Sequence, residues 1–142
     1  MTSPNVARVL LVEDERVLGR IYARALMAAG FVVDVASDGV EGFELLLAKP
    51  YDVVVSDLYM PRMDGLELLE EVRRLRPTVP VVLVSAELDD PAYERVHGMF
   101  AVRLLRKPVT LDQLARAVEW AAALHASLAR AKRGVGTRLS HE

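Results

Sequence analysis

Five short apolar runs, each followed by a stretch with helical spacing, constrain the fold of this chain more than any other feature. The runs are rich in valine and leucine and occupy residues 9–12, 31–35, 53–56, 81–84 and 101–105. Continuous apolar runs of this length are typical of strands covered on both faces. The predicted helices cover residues 15–29, 40–48, 66–75, a short segment that Asp90 caps and Pro91 begins, and 110 to about 131.

This alternation predicts an α/β fold, a doubly wound sheet of five parallel strands with helices on both faces. The chain has 142 residues, which is enough for one such domain. In a sheet of this kind, ligands bind beyond the carboxyl ends of the strands, where the strand order reverses. The residues directly after each apolar run are therefore the place to look for chemistry.

The composition excludes several classes of function. Because the chain has no cysteine, it has no disulfides, thiolate nucleophiles or thiolate zinc sites. Its histidines, at 97, 125 and 141, have no metal-ligand spacing. A net charge of −2 provides no general attraction to nucleic acid or anionic lipid. The sequence shows no signal peptide and no apolar run of membrane-spanning length, so we expect a soluble, cytoplasmic protein.

Polar side chains follow four of the five predicted strands. Glu13 and Asp14 follow the first strand, Asp57 the third, Ser85 the fourth and Lys107 the fifth. Any one of them alone is explained by exposure to water at a strand end. Together, three carboxylates, a hydroxyl and an ammonium are predicted to meet at one edge of the sheet.

That combination indicates a particular chemistry. Clustered carboxylates repel one another unless a cation joins them, and oxygen ligands in a partly open site favour Mg²⁺. A phosphoryl group on Asp57 would need its charge neutralised by a metal, a cationic side chain and a hydroxyl donor. The sequence therefore predicts a magnesium-dependent phosphoryl site at this edge.

The segments that carry these residues resemble the signature segments of the response-regulator receiver family of two-component signalling systems. They are residues 9–15, 53–65, 82–86 and 104–108, and the resemblance extends over about residues 7 to 125. The most specific segment is Asp57-Leu58-Tyr59-Met60-Pro61-Arg62-Met63-Asp64-Gly65, which is similar to the family's phosphoacceptor loop. The resemblance implies the flavodoxin-like (βα)5 receiver fold.

The resemblance also implies the roles of the metal-site residues. Asp14 would be the principal Mg²⁺ ligand together with Asp57, Glu13 would act on the ion through water, and Tyr59 would supply its backbone carbonyl. Met60-Pro61 and Asp64-Gly65 are expected to shape the loop rather than to touch phosphate.

By the same resemblance, Asp57 would take the phosphoryl group from a sensor histidine kinase or a histidine phosphotransfer protein. Lys107 would bind the acyl phosphate and Ser85 would move to hydrogen-bond it, while the peptide bond from Lys107 to Pro108 is usually cis in the family. Such a domain is a phosphoacceptor for signalling that catalyses its own phosphotransfer and dephosphorylation, rather than an enzyme with a separate substrate.

The chain departs from the family pattern at two places near the last strand. Leu104 stands where tyrosine or phenylalanine is usual, so the ring whose rotation reports phosphorylation is missing. Residues 98–101 also differ from the usual small-residue turn. We therefore expect phosphorylation to signal through helices four and five, to an output domain or a second copy of the chain.

The last predicted helix is longer than the sheet needs. At 1.5 Å per residue, a helix to Ala131 is ~33 Å long. Its overhang carries Trp120, Leu124 and Leu128. This part of the helix would pair with a second subunit, lead into an output domain, or be an ordinary helix end. We expect residues 1–133 to form the domain and 134–142 to be a flexible tail or the start of a linker.

Two other functions stay open on the sequence. An aspartate-nucleophile phosphohydrolase also uses a parallel sheet and Mg²⁺, but it needs an acid two residues after the nucleophile, where this chain has Tyr59. A receiver-like interaction module that is not phosphorylated is the other alternative. Leu104 favours it, and the presence of Asp14, Asp57, Ser85 and Lys107 opposes it.

Overall fold

The structure, a computed structural model, describes residues 6–86 and 91–140, and side chains within them except at 92, 93 and 134–140. Five strands alternate with five helices. They are β1 (Arg8–Val12), α1 (Arg16–Ala28), β2 (Val32–Ala36), α2 (Gly39–Ala48), β3 (Val53–Asp57), α3 (Gly65–Leu75), β4 (Val81–Ser85), α4 (Pro91–Val96), β5 (Val102–Arg106) and α5 (Leu111–Ser140). The predicted cap of α4, Asp90, lies outside the described residues.

The strands form one parallel sheet in the order β2-β1-β3-β4-β5, which confirms the predicted doubly wound fold. Strand order reverses between β1 and β3, because the chain builds outward on one side of β1 and then crosses to the other. A crevice opens at the carboxyl ends of strands at such a reversal. The topology thus places the ends of β1 and β3 side by side.

Alternate residues of the strands pack in two separate core layers, one on each face of the sheet. On β3, Val53 and Val55 pack with residues of α1 and α5, whereas Val54 packs with residues of α2 and α3. All five residues of β3 are buried, which explains why this strand is an unbroken apolar run ahead of its polar end. The central strands are therefore a rigid support for whatever follows them.

The last helix is longer than the sequence predicts. We expected it to end near Ala131, but α5 continues to Ser140 and has 30 residues. Residues 134–140, which we expect to form a tail or the start of a linker, continue this helix. The segment contains no proline, and each of Gly134 and Gly136 disfavours the helix by only about 1 kcal/mol relative to alanine.

The loop from β3 to α3 is held near its α3 end by two sets of contacts. Asp64 caps α3: its carboxylate accepts a hydrogen bond of 2.9 Å from the Glu67 backbone, and the Glu67 carboxylate accepts one of 3.1 Å from the Asp64 backbone. Arg62, with a positive φ of 72°, reaches Asp38 at the cap of α2, 3.2 Å away. This supports the expectation that Asp64 shapes the loop.

Replacing Asp64 by alanine is expected to lower the free energy of unfolding by about 1 kcal/mol, because the backbone N–H of Glu67 in the first turn of α3 loses its acceptor. Urea unfolding of the purified variant measures this. Asp112→Ala, on the exposed first turn of α5, is the comparison, since Asp112 makes only a surface ion pair with Arg116. An Asp64→Ala variant as stable as wild type would contradict the cap.

Candidate functional site

The ends of β1, β3 and β5 bring three ionisable side chains close together. Lys107 Nζ lies 2.8 Å from Asp57 Oδ1 and 3.9 Å from Glu13 Oε2. Glu13 and Asp57 are buried, whereas Lys107 is about one quarter exposed. The ammonium thus lies beside two buried carboxylates and is itself partly open to solvent.

Asp14 completes an acidic cluster with these two carboxylates. One oxygen from each of Glu13, Asp14 and Asp57 lies within 4.8 Å of the others. Asp14 is exposed while the other two are buried, so the cluster is reached from water on the Asp14 side. The three acids that the sequence predicts at this edge are therefore brought together.

The electrostatics of the cluster are unfavourable for two neighbouring carboxylates. Burial, the hydrogen bond with Asp57 and the charge of Asp57 raise the pKa of Glu13 to about 8. Burial acts to lower the pKa of Lys107, but the hydrogen bond and charge of Asp57 outweigh it, so the pKa of Lys107 is raised. Without a metal, a proton on Glu13 and the ammonium of Lys107 offset the negative charge.

The metal-free protein is therefore expected to lose stability as the pH rises from about 4.5 to about 8, because folded Glu13 keeps a proton that the unfolded chain has lost. The slope is at most about 1.4 kcal/mol per pH unit for one group. Urea unfolding in the presence of a chelator measures it. Glu13→Gln should flatten this slope and be more stable than wild type at pH 8; an unchanged slope would contradict the raised pKa.

Ser85 and Lys107 are neighbours through their backbones. The backbone N–H of Lys107 donates to the carbonyl of Ser85 over 2.8 Å, and Ser85 is buried at the end of β4. The peptide bond between Lys107 and Pro108 is cis, as the family resemblance implied. Tyr59 lies two residues beyond Asp57 with its side chain half exposed. The contact of its carbonyl with a metal stays a prediction.

Sequence reasoning missed one residue beside the site. Tyr22 of α1 is buried and lines the same apolar groove as Lys107, together with Leu18, Ile21 and Pro108. Burial raises the pKa of the Tyr22 hydroxyl, and the charge of Lys107 partly opposes this. Helical spacing assigns Tyr22 to the core, which is correct for its ring, but no signal in the sequence places it near Lys107.

Chemically, the site combines the buried Asp57 carboxylate, a cation fixed beside it and two further carboxylates. The donors are all oxygen atoms, and one is exposed, which suits a hard divalent cation that keeps part of its water. A cation beside a buried carboxylate suits a bound group with negative charge.

Comparisons with known proteins agree with this fold. The family model of the response regulator receiver domain matches residues 9–119. The transcriptional regulatory protein QseB of Haemophilus influenzae is 40% identical over 110 residues, which are 76% of this chain and 49% of QseB. The sensor kinase CckA of Brucella abortus is 39% identical over 115 residues, which are 80% of this chain and 12% of CckA.

Solved structures match as well. The crystal structure of a response regulator receiver protein from Sinorhizobium medicae superposes with a TM-score of 0.77 at 28% identity, over 87% of this chain and 99% of that one. The chain thus spans about half the length of QseB and nearly all of this solved receiver. None of the helices in the described residues is both long and apolar enough to span a membrane.

Proposed function

This chain belongs to the response regulator receiver domain family, and we propose that it accepts a phosphoryl group on Asp57 in a reaction that requires Mg²⁺. Receiver domains of two-component systems are signalling modules rather than classical enzymes. The observation that carries the proposal is the buried Asp57 carboxylate, 2.8 Å from the Lys107 ammonium and within one acidic cluster with Glu13 and Asp14.

The acidic cluster fits the metal. Carboxylates from Glu13, Asp14 and Asp57 supply only oxygen donors, and an exposed Asp14 leaves room for the waters that Mg²⁺ retains. We assign Asp14 and Asp57 as direct ligands, Glu13 as a ligand through water, and the Tyr59 carbonyl as a further ligand. When bound, the ion neutralises negative charge on the transferred group.

The transfer itself needs little from the protein beyond position and charge. A carboxylate oxygen of Asp57 attacks the phosphorus of a phosphohistidine, the P–N bond breaks, and the released imidazole takes a proton from water. Lys107 already contacts Asp57 and would move onto the phosphoryl oxygens of the product. Ser85, at the end of the neighbouring strand, would donate its hydroxyl to the same oxygens.

Incubation with acetyl phosphate tests the proposal without knowledge of the kinase. Intact-mass measurement should show one added phosphoryl group in the presence of Mg²⁺ and none with a chelator. Reduction of the acyl phosphate with borohydride, followed by peptide mapping, should identify residue 57. Absence of any adduct would favour a receiver-like interaction module instead, and an adduct on another residue would reject the assigned site.

The family implies a kinase upstream and an output downstream. We propose that the phosphodonor is a sensor histidine kinase or a histidine phosphotransfer protein. We further propose that residues 1–133 are the receiver domain and 134–142 begin the link to an output domain. The switch would act through α4 and α5, because Leu104, half-buried and packed against the core cluster that includes Val96 of α4, replaces the aromatic residue expected there.

A further inference from the structure

Three arginines form an unpaired row along α1. Arg16, Arg20 and Arg24 are four residues apart, so their side chains lie on one face over ~12 Å of helix. All three are exposed, and within the described part of the chain they make no ion pair or hydrogen bond. By contrast, Arg74 and Arg116 on other helices pair with acids of their own helix.

The row is unfavourable for the helix that carries it. Like charges four residues apart repel, and a cation in the first turn, such as Arg16, opposes the helix dipole. The first turn of α1 holds no acidic residue, its last turn holds no basic one, and the Glu15 side chain makes no capping bond. Several residues at the start of α1 therefore disfavour the helix, and no contact among the described residues compensates for them. Such a combination indicates that these residues serve a function.

The row lines one wall of a groove of about 480 Å³, which we call the α1 groove. Its floor is apolar: Ala23 is buried, while Met27 and Val35 remain exposed in it. One end of the α1 groove reaches Glu13 and Asp14. The face of α1 opposite the arginine row lines a separate groove, which contains Lys107. The α1 groove is therefore distinct from the surface that contains Lys107.

We propose that the α1 groove binds an acidic amphipathic helix of a protein partner. Carboxylates spaced four residues apart on such a helix match the arginine row, and its apolar side chains cover Met27 and Val35. A nucleic acid fits less well, because its evenly spaced phosphates would also meet Glu13, Asp14 and Glu41 at the border of the groove, whereas a helix can direct its carboxylates to the arginine row and uncharged residues to that border. The inference does not depend on phosphorylation of Asp57.

Fluorescence anisotropy with a labelled helical peptide tests the proposal. The peptide carries glutamate at every fourth position with leucine beside it. Two further probes serve as comparisons. One is the same peptide with lysine in place of glutamate, and the other is a single-stranded oligonucleotide with the net charge of the glutamate peptide. The glutamate peptide should bind wild type, more weakly as salt increases. The variant R16Q/R20Q/R24Q should bind it about tenfold more weakly, the combined effect of three exposed ion pairs.

The control variant R74Q/R116Q/R130Q makes the same change in net charge elsewhere and should bind as wild type does. Amide chemical shifts should change in α1 and β2 of wild type when the glutamate peptide is added. Equal binding by the row variant and wild type, equal binding of the lysine peptide, or shifts confined to α4 and α5 would overturn the proposal. Tighter binding of the oligonucleotide than of the glutamate peptide would show that the arginine row binds nucleic acid instead. A lower melting temperature of the row variant would show that the arginines stabilise the fold.

Discussion

Replacement of Asp57 by asparagine is expected to abolish phosphorylation by acetyl phosphate while the protein remains folded. Asparagine has nearly the same shape but offers no carboxylate oxygen to attack phosphorus, and it removes one of the three acids of the cluster. Asp57 sits at the end of a strand that is buried along its whole length, so the fold holds its position without help from the carboxylate charge. Intact-mass measurement should show no adduct in Mg²⁺, and circular dichroism should match wild type.

The matched control lies at the other end of the same strand. Asp52 precedes β3, where its carboxylate accepts a hydrogen bond of 2.7 Å from the Arg8 backbone and lies 3.3 Å from His125 Nε2. Asp52→Asn should reduce stability slightly and leave phosphorylation intact, because this end of the sheet is opposite the acidic cluster. An adduct on Asp57→Asn equal to that on wild type would show that the phosphorylated residue lies elsewhere.

The sequence alone predicted the acidic cluster because parallel topology makes strand ends converge. Once five strands were identified from their apolar runs, Glu13, Asp14, Asp57 and Lys107 had to share one edge of the sheet. The distances, from 2.8 to 3.9 Å around Lys107, depend on side-chain packing, and periodicity does not contain that information. What was predictable is what depends on backbone topology.

Features that depend on contacts between distant segments were not predictable in this way. The spacing of His125 indicates no role in the sequence, yet its Nδ1 lies 2.9 Å from the Thr78 carbonyl oxygen and its Nε2 lies 3.3 Å from the Asp52 carboxylate. The ion pair of Arg62 with Asp38 joins two loops that are far apart in sequence. The helix α5 extends past the predicted end near Ala131, because Gly134 and Gly136 weaken a helix without ending it as proline does.

Gly65→Ala is expected to lower the free energy of unfolding by about 3 kcal/mol, at the upper end of what overpacking costs. A Cβ at this position would lie 2.4 Å from the Asp57 carbonyl oxygen and 2.9 Å from the Leu58 Cα, and neither backbone atom can rotate away. The Gly65 N–H also donates to the Leu58 carbonyl over 2.8 Å, which fixes the start of α3 against the end of β3. Because the displaced backbone is that of Asp57 itself, phosphorylation should slow as well.

Gly19→Ala is a control for which the opposite change in the free energy of unfolding is expected. A Cβ at Gly19 would meet side-chain atoms of Glu13 and Val35 at 3.7 Å, which is ordinary van der Waals contact, and Gly19 lies inside α1. Alanine stabilises a helix interior by about 1 kcal/mol relative to glycine, so this variant should be more stable than wild type. Urea unfolding of both variants measures the difference. If both variants were as stable as wild type, Gly65 would not be required for α3 to approach the Asp57 carbonyl. The position of Asp57 would then depend on the strand alone.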